Sequence, residues 1–281
     1  MNKNEDGYAL VAAVASIAVF AAMALTVLSA TRMGIDDAAA EQSQLQASAA
    51  ADAGVALALS GLMASDATQR WSLDGRERQL TFDGARLHVR IEDERGKVPI
   101  SALDEPMATR LLEAVGLEGD RLLIARDSLL DWTDGDDEPR PFGAESAYYA
   151  VAGIRPTNGF LSSIEELGSI RGFDAALVQR VRPFATAYTS RAGFDPKFAH
   201  PLAIMIMEEG GFEGGPAAID RARERSGQRT ALEFSDATDL VGRPLTIIVE
   251  ARLPDGSRAA RRVVVEITGR SERPYLVRAA D

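Results

Sequence analysis

The sequence predicts an α+β fold in which a long N-terminal helix packs on an antiparallel sheet and an all-helical domain interrupts that sheet. Three observations carry this. An uncharged run from Tyr8 to Thr31 continues, without proline, into an Ala-, Leu- and Gln-rich segment that reaches Ser65. Residues 78–93 and 243–279 alternate apolar and polar positions with the period of strands. Residues 95–185, between them, switch to helical patterns. Neither strand group is a sufficient sheet alone, so the two complete each other across the insertion.

The N-terminal run matches a membrane span, since a helix needs about 20 apolar residues to cross the hydrocarbon core. A secretory signal would begin with a basic segment and keep its apolar stretch to about 7–15 residues. Here the flank MNKNEDG carries one Lys against two acids, and the run is too long. Residues 33–65 remain good helix formers, which predicts one helix of roughly 55 residues, about 80 Å long. Leu45, Ala49, Ala53, Ala56 and Leu59 recur at spacings of three and four, an apolar stripe suited to the sheet.

Beyond a loop at WSLDGRERQ, Asp83-Gly84 marks a hairpin whose second strand turns Leu87, Val89 and Ile91 inward. Helices are expected in EPMATRLLEAVGL, DRLLIARDSLLDW and SSIEELGSIRGFDAALVQRVRPF, the last starting at a Ser162–Glu165 capping box. DPKFAHPLAIM to ARERSGQ adds helix, broken at EEGGFEGG. Strands then return around the turn Pro254-Asp255-Gly256. The expected organisation is a short polar flank over 1–7, which the resemblance described below makes a prepilin-type leader, a membrane helix over 8–31, a helix-and-sheet domain over 32–94 and 186–281, and the helical insertion over 95–185.

Composition narrows the function classes. A formal net charge of −11 and a pI near 4.8 make most of the surface repel phosphate backbones. The absence of cysteine excludes disulfides, thiolate catalysis and Cys-based metal sites. His88 and His200 lie in no metal or triad motif, and the acidic EEGGFEGGP follows no predicted strand, so it does not read as a phosphate loop. An enzyme is not expected.

DWTDGDDE places Asp131, Asp134, Asp136, Asp137 and Glu138 within eight residues, and GAESAYY brings Glu145 back to them. Such dense hard oxygens suit Ca²⁺, although the loop lacks the glycine and closing glutamate of an EF-hand. The alternative is a solvated acidic loop at a helix end. ELGSIRGFDAALVQRV has the look of a helix-hairpin-helix, which in a membrane-anchored chain would suggest a nucleic-acid receptor. Asp174 stands two places after Gly172, where phosphate would have to approach, so the element reads as structural and no nucleic acid is expected.

Gly7 followed abruptly by an apolar helix at Tyr8 resembles a prepilin signal, cut by a prepilin peptidase after the glycine. DERGKV, LLDWTDGDDEPRPFGAESAYY and NGFLSSIEELGSIRGF resemble the general secretion pathway protein K family, the minor pseudopilin K of type II secretion. The resemblance implies a pilin-like fold with a helical insertion and a non-enzymatic role at the tip of a periplasmic pseudopilus. It further implies minor pseudopilins I and J as partners above the major pseudopilin G, and a single pass through the inner membrane with the C-terminal domain in the periplasm. Calcium is implied too, carried to Asp131, Asp134, Asp136, Asp137 and Glu145. Partner contact is expected on the helix around Leu45, Ala49 and Ala53. The chain departs from the family pattern at VPIS, where the Gly-Lys segment is usually followed by Asn residues, and in its acidic leader. Ala12 occupies the fifth place after the cut, where pilin-like chains usually carry a Glu that pairs with the neighbouring subunit's amine. A subunit without a predecessor has no need of that carboxylate. The other readings are a minor pilin of a type IV pilus or competence system and the anchored helix-hairpin-helix receptor.

Processing gives the first test. N-terminal sequencing of the mature chain is expected to start at an N-methylated Tyr8, and Gly7→Glu is expected to leave Met1 or its neighbour as the N-terminus.

Overall fold

A computed structural model describes residues 5–66, 68–73, 75–208 and 240–280, with side chains in the first helix described at Phe20, Ala21, Met23, Leu25 and Thr26 and from Asp37 onward. The predicted EEGGFEGG break and the ARERSGQ helix lie outside these residues. A single helix, α1, runs from Glu5 to Leu62. Its backbone includes Gly7 and Tyr8, whose side chains lie outside the described set. Phe20, Met23 and Leu25 are exposed apolar side chains in its N-terminal half, as a lipid-facing segment requires.

The C-terminal half of α1 lies on a five-stranded antiparallel sheet of β1 (Arg78–Phe82), β2 (Ala85–Asp93), β5 (Pro244–Arg252), β6 (Arg258–Arg270) and β7 (Arg273–Ala280), in that order. The helix face that reaches the sheet is Ala47, Ala50, Ala51, Gly54, Ala58 and Leu62, all buried. Here the predicted stripe is corrected. Leu45 is 65% exposed, Ala49 and Ala56 are exposed, Ala53 is half-buried, and only Leu59 of the five is buried. The reason is the distance of approach, because a Cβ at Gly54 would sit 2.5 Å from a Val249 methyl. The helix therefore turns its smallest residues, not its largest, to the strands.

Asp83 and Gly84 both take positive φ, 46° and 78°, which is the conformation a tight hairpin between β1 and β2 needs. Leu87, Val89 and Ile91 face α1 and are buried, as do Leu245, Ile247, Val249 and Ala251 on β5. β2 pairs with β5 over Arg86–Asp93 against Arg252–Leu245, so the sheet is closed by strands from either side of the insertion.

The insertion has its own core. A two-stranded parallel ribbon of β3 (Val98–Pro99) and β4 (Ala185–Thr186) places its entry beside its exit. Between them come α2 (Glu105–Ala114), capped by Asp104 on the Met107 N–H, α3 (Gly119–Thr133), the short α4 (Ser146–Tyr149) and α5 (Ala175–Val181). The helical core continues past β4: Phe194, Ala199, Ala203, Ile204, Ile206 and Met207 join it, and α6 (Pro201–Glu208) is held to α2 by Arg110 donating to the Ile206 carbonyl at 2.8 Å. The insertion thus extends to at least Met207 rather than stopping at 185, because a boundary drawn from periodicity could not see α6 fold back. VPIS earns its place here, with Val98 and Ile100 fully buried and Ser101 Oγ accepting from the Leu161 N–H.

The expected helix at Ser162 is a 3₁₀ segment, Ile164–Ser169, and Glu166 rather than Glu165 reaches back, accepting from the Ser162 N–H and hydroxyl at 2.8 and 2.7 Å. Gly172 has φ +91° and its α-carbon lies so close to α3 that a Cβ would meet the Ala125 backbone at 2.8 Å, while Asp174 caps α5 through the Leu177 N–H.

Candidate functional site

The acidic loop begins where α3 ends. α3 buries three polar side chains, Asp127, Ser128 and Asp131, on a face otherwise committed to the core. Two of them draw the following loop onto the helix. Asp127 accepts from the Phe142 N–H, and Asp131 accepts from the Arg140 N–H and, at 2.6 Å, from the Arg140 guanidinium. A Cβ at Gly143 would overlap an Asp131 carboxylate oxygen, so the chain crosses here only as glycine. Trp132 and Tyr149 pack edge to face at 5.0 Å, and the Tyr149 hydroxyl accepts from the Arg171 N–H, tying the loop's far end to the core.

Of the expected ligands, Asp134, Asp136 and Glu145 converge, with one carboxylate oxygen of each within 4.8 Å of the others. Asp131 and Asp137 do not join them. Both oxygens of Asp131 accept from Arg140, and Asp137 accepts from the Ser146 N–H at 3.2 Å. Their carboxylates serve the loop's own architecture. The loop is solvated at its tip, where Asp136, Asp137 and Glu138 are exposed, and buried at its flanks, where Asp131 is 0% and Glu145 3% exposed.

The converging oxygens are short of donors. Among the described residues, both oxygens of Glu145 and Oδ1 of Asp134 are buried without a hydrogen-bond partner. Asn158, held at φ 43° and donating to the Asp136 carbonyl at 2.6 Å, adds a buried Oδ1 in the same condition. Burial first, and then the carboxylates of Asp131, Asp134, Asp137 and Asp136, push Glu145 up to about 7. Asp131 is also raised by burial, against the opposing pull of Arg140. By contrast, burial would raise Glu166, but donation from Ser162, Trp132 and Thr157 holds it below its ordinary value. An oxygen set of this kind fits a hard divalent cation: ligands at 2.3–2.6 Å from a metal stand up to about 5 Å apart, and a cation supplies what the missing donors do not. Arg140, which bridges Asp131 and Asp134 at 2.6 and 2.5 Å, and Asn158 were not among the expected site residues. Both lie within quoted motifs, Arg140 in LLDWTDGDDEPRPFGAESAYY and Asn158 at the head of NGFLSSIEELGSIRGF, but nothing local ties Asn158, thirteen positions beyond Glu145, to the acidic loop.

A long helix laid along an antiparallel sheet makes this a pilin-like protein, one whose sheet is interrupted by a helical domain carrying the acidic site. Residues 89–190 match the family model described as type II secretion system (T2SS), protein K. Type II secretion system protein K of Klebsiella pneumoniae is 33% identical over 135 residues, 42% of this chain and 40% of that protein. The Aeromonas hydrophila protein K is 31% identical over 196 residues, 63% and 56% respectively. The Dickeya chrysanthemi protein K is 40% identical over 145 residues, 50% and 37%. The aligned portion therefore spans about half or less of the curated relatives' length. A chain of the GspK–GspI–GspJ complex from the type 2 secretion system of enterotoxigenic Escherichia coli superimposes with a TM-score of 0.59 at 16% identity, covering 86% of this chain and 97% of that one. The resemblance to the protein K family is borne out by these matches, and the fold is the one that chain adopts.

Glu145 supplies a pH test. Its pKa is higher in the folded chain than in the unfolded one, so metal-free stability from this group is present below about pH 4.5 and is lost as pH rises through about 7. Glu145→Gln, which removes the buried charge, is expected to raise the melting temperature in EGTA at pH 8 and to change it little at pH 5, read by differential scanning fluorimetry.

Proposed function

We propose that this chain is a minor pseudopilin of a type II protein secretion system, a structural and non-catalytic subunit at the tip of the periplasmic pseudopilus. The N-terminal half of α1 holds it in the inner membrane, where prepilin peptidase removes residues 1–7 and leaves the apolar helix in place, and its C-terminal domain stands in the periplasm. It assembles there with minor pseudopilins I and J above the major pseudopilin G. The observation that carries the reading is the match of residues 89–190 to protein K together with the likeness of the fold to a chain from a complex with GspI and GspJ. The geometry lends support on two counts. The helical insertion adds bulk that a subunit packed within a shaft would have to accommodate, whereas a first subunit has nothing above it. Leu45, Ala49 and Ala56 are exposed and Ala53 is half-buried, leaving the helix face that the sheet does not use for a neighbour's helix.

Replacing Ala49 and Ala53 together with Arg is expected to abolish co-purification with minor pseudopilins I and J, since the interface would bury unpaired charge. Circular dichroism of the double variant is expected to match the wild type. Unchanged binding would remove the helix-mediated contact, and long homopolymeric filaments formed by the wild type alone would remove the tip assignment.

Calcium is the proposed occupant of the acidic site, held by Asp134, Asp136 and Glu145 with Asn158 close at hand. The donorless buried oxygens support this. A saturating ligand at about 100 times its dissociation constant adds about 2.7 kcal/mol to the folded state. EGTA is therefore expected to lower the melting temperature of the detergent-solubilised chain at pH 8, and Asp134→Ala with Asp136→Ala to remove the response. A melt insensitive to EGTA, with no metal by elemental analysis, would overturn the assignment.

A further inference from the structure

The sheet face turned away from α1 is divided in two. At one end the insertion covers it, and Thr246 and Val264, at paired positions on that face, are buried. At the other end it is open, and Arg86, Arg252 and Arg258 are exposed there. Arg86 stands directly opposite Arg252 in the β2–β5 ladder, and Arg252 directly opposite Arg258 in the β5–β6 ladder. Three guanidinium groups thus cross three adjacent strands in one row, about 10 Å wide at the ordinary strand spacing. Like charges directly opposite one another destabilise a sheet. Among the described residues, none of the three has a carboxylate partner. In the next row His88 is engaged by Glu77 at 2.5 Å and stands opposite Glu250, the acid of this face nearest the arginines. Beyond it lie Arg90, paired with Glu92 at 3.1 Å, and the half-buried Arg262. In a chain of net charge −11, a local cationic row is not a by-product of composition.

Its level along α1 is fixed by contacts. The turn between β5 and β6 meets the helix where Ser43 bonds to Asp255 and Gln44 donates to the Arg258 carbonyl, and Arg261 reaches Ser48 and Asp52 further along. The row therefore lies at the end of the globular domain nearest the uncharged segment. Thirteen helical steps carry the chain from Thr31 to Gln44, about 20 Å of rise. That exceeds the physiological Debye length of about 8 Å, so lipid headgroups are screened from the row.

We infer that the Arg86–Arg252–Arg258 row is a docking surface for an acidic, carboxylate-bearing face of the pseudopilin subunit that enters beneath this one. The inference rests on the pseudopilin reading, in which each later subunit arrives on the membrane side of its predecessor. Charge complementarity selects the occupant, because carboxylates would relieve the repulsion the row suffers alone. The row therefore supplies attraction and register to a contact whose apolar part lies on α1.

The test uses the full chain in detergent, purified with the minor pseudopilins I and J and the major pseudopilin G as separate candidates. Binding of the wild type to at least one of them is expected, weakening steeply between about 50 and about 300 mM NaCl. Charge reversal at all three positions, R86E/R252E/R258E, is expected to lower affinity about ten-fold or more and to flatten the salt dependence. The neutral triple R86Q/R252Q/R258Q keeps the result interpretable should the reversal impair folding. It is expected to weaken binding while leaving the free chain's melting temperature equal to or above wild type, a pairing of effects that a merely structural role would not give. R155E/R180E, on the insertion, is the control and is expected to bind as wild type. Wild-type affinity in both triple variants overturns the docking surface while leaving the pseudopilin reading intact. A drop in the free chain's melting temperature in the neutral triple, matching its loss of binding, also overturns it. Failure of the wild type to bind any candidate overturns both.

Discussion

The structure depends on one joint. Strands β2 and β5 are separated by some 150 residues of chain, yet they pair residue for residue from Arg86 with Arg252 to Asp93 with Leu245. Everything between must leave the sheet at Asp93 and return beside it. The joint is ionic and buried. Asp93 accepts from the Arg95 N–H and guanidinium and from Arg243, while Glu94 accepts from Lys97 at 2.5 Å and Thr246 at 2.6 Å. Arg95 and Arg243 both lie over the Phe198 ring, at 5.4 and 5.5 Å. Buried charges of this kind are tolerated only when each has its partner, and removal of one leaves the other uncompensated. The partners come from β2, β5 and both ends of the insertion, so they fix the orientation of the helical domain on the sheet. Gly96 sits at the centre because a Cβ there would lie 2.4 Å from the Phe198 carbonyl oxygen.

The acidic site follows from the same logic applied without full compensation. Asp127 and Asp131 are buried on α3 and satisfied, by Arg126 and the Phe142 N–H in one case and by Arg140 in the other. They shape the loop. Glu145 is as deeply buried and has no donor among the described residues. The difference between these carboxylates is one of partners, since all three are acids and all are buried. Its raised pKa expresses that imbalance.

On α1 the two small-residue faces have different surroundings. Ala47, Ala50, Ala51, Gly54 and Ala58 allow backbone approach to the sheet, and Arg261 clamps the helix through Asp52 at 2.6 Å. Leu45, Ala49 and Ala56 look outward. A helix so poor in large side chains presents a similar pattern to both sides, which is why apolar spacing alone assigned the sheet contact to the wrong one.

Local chemistry in the sequence determined the α+β class, the long helix, the Asp83-Gly84 hairpin, the inward residues of β2 and the existence of a helical insertion, because each is set by spacing or by a backbone preference within a few residues. It also located the acidic loop and the motifs shared with protein K. Tertiary structure alone decided which helix face meets the sheet, that α6 belongs with the insertion, and which of five acids converge. Asp131 left the candidate metal set because Arg140, nine residues away, donates to both of its oxygens, whereas Asp134 gives Arg140 one oxygen and keeps the other without a donor, and Asn158 came near because the chain returned from thirteen residues beyond Glu145. Pairings of this sort depend on where the chain crosses itself, and nothing in residue type or periodicity carries that information. The arginine row is the same case: its members are 166 and six positions apart in the chain, and only the strand register sets them side by side.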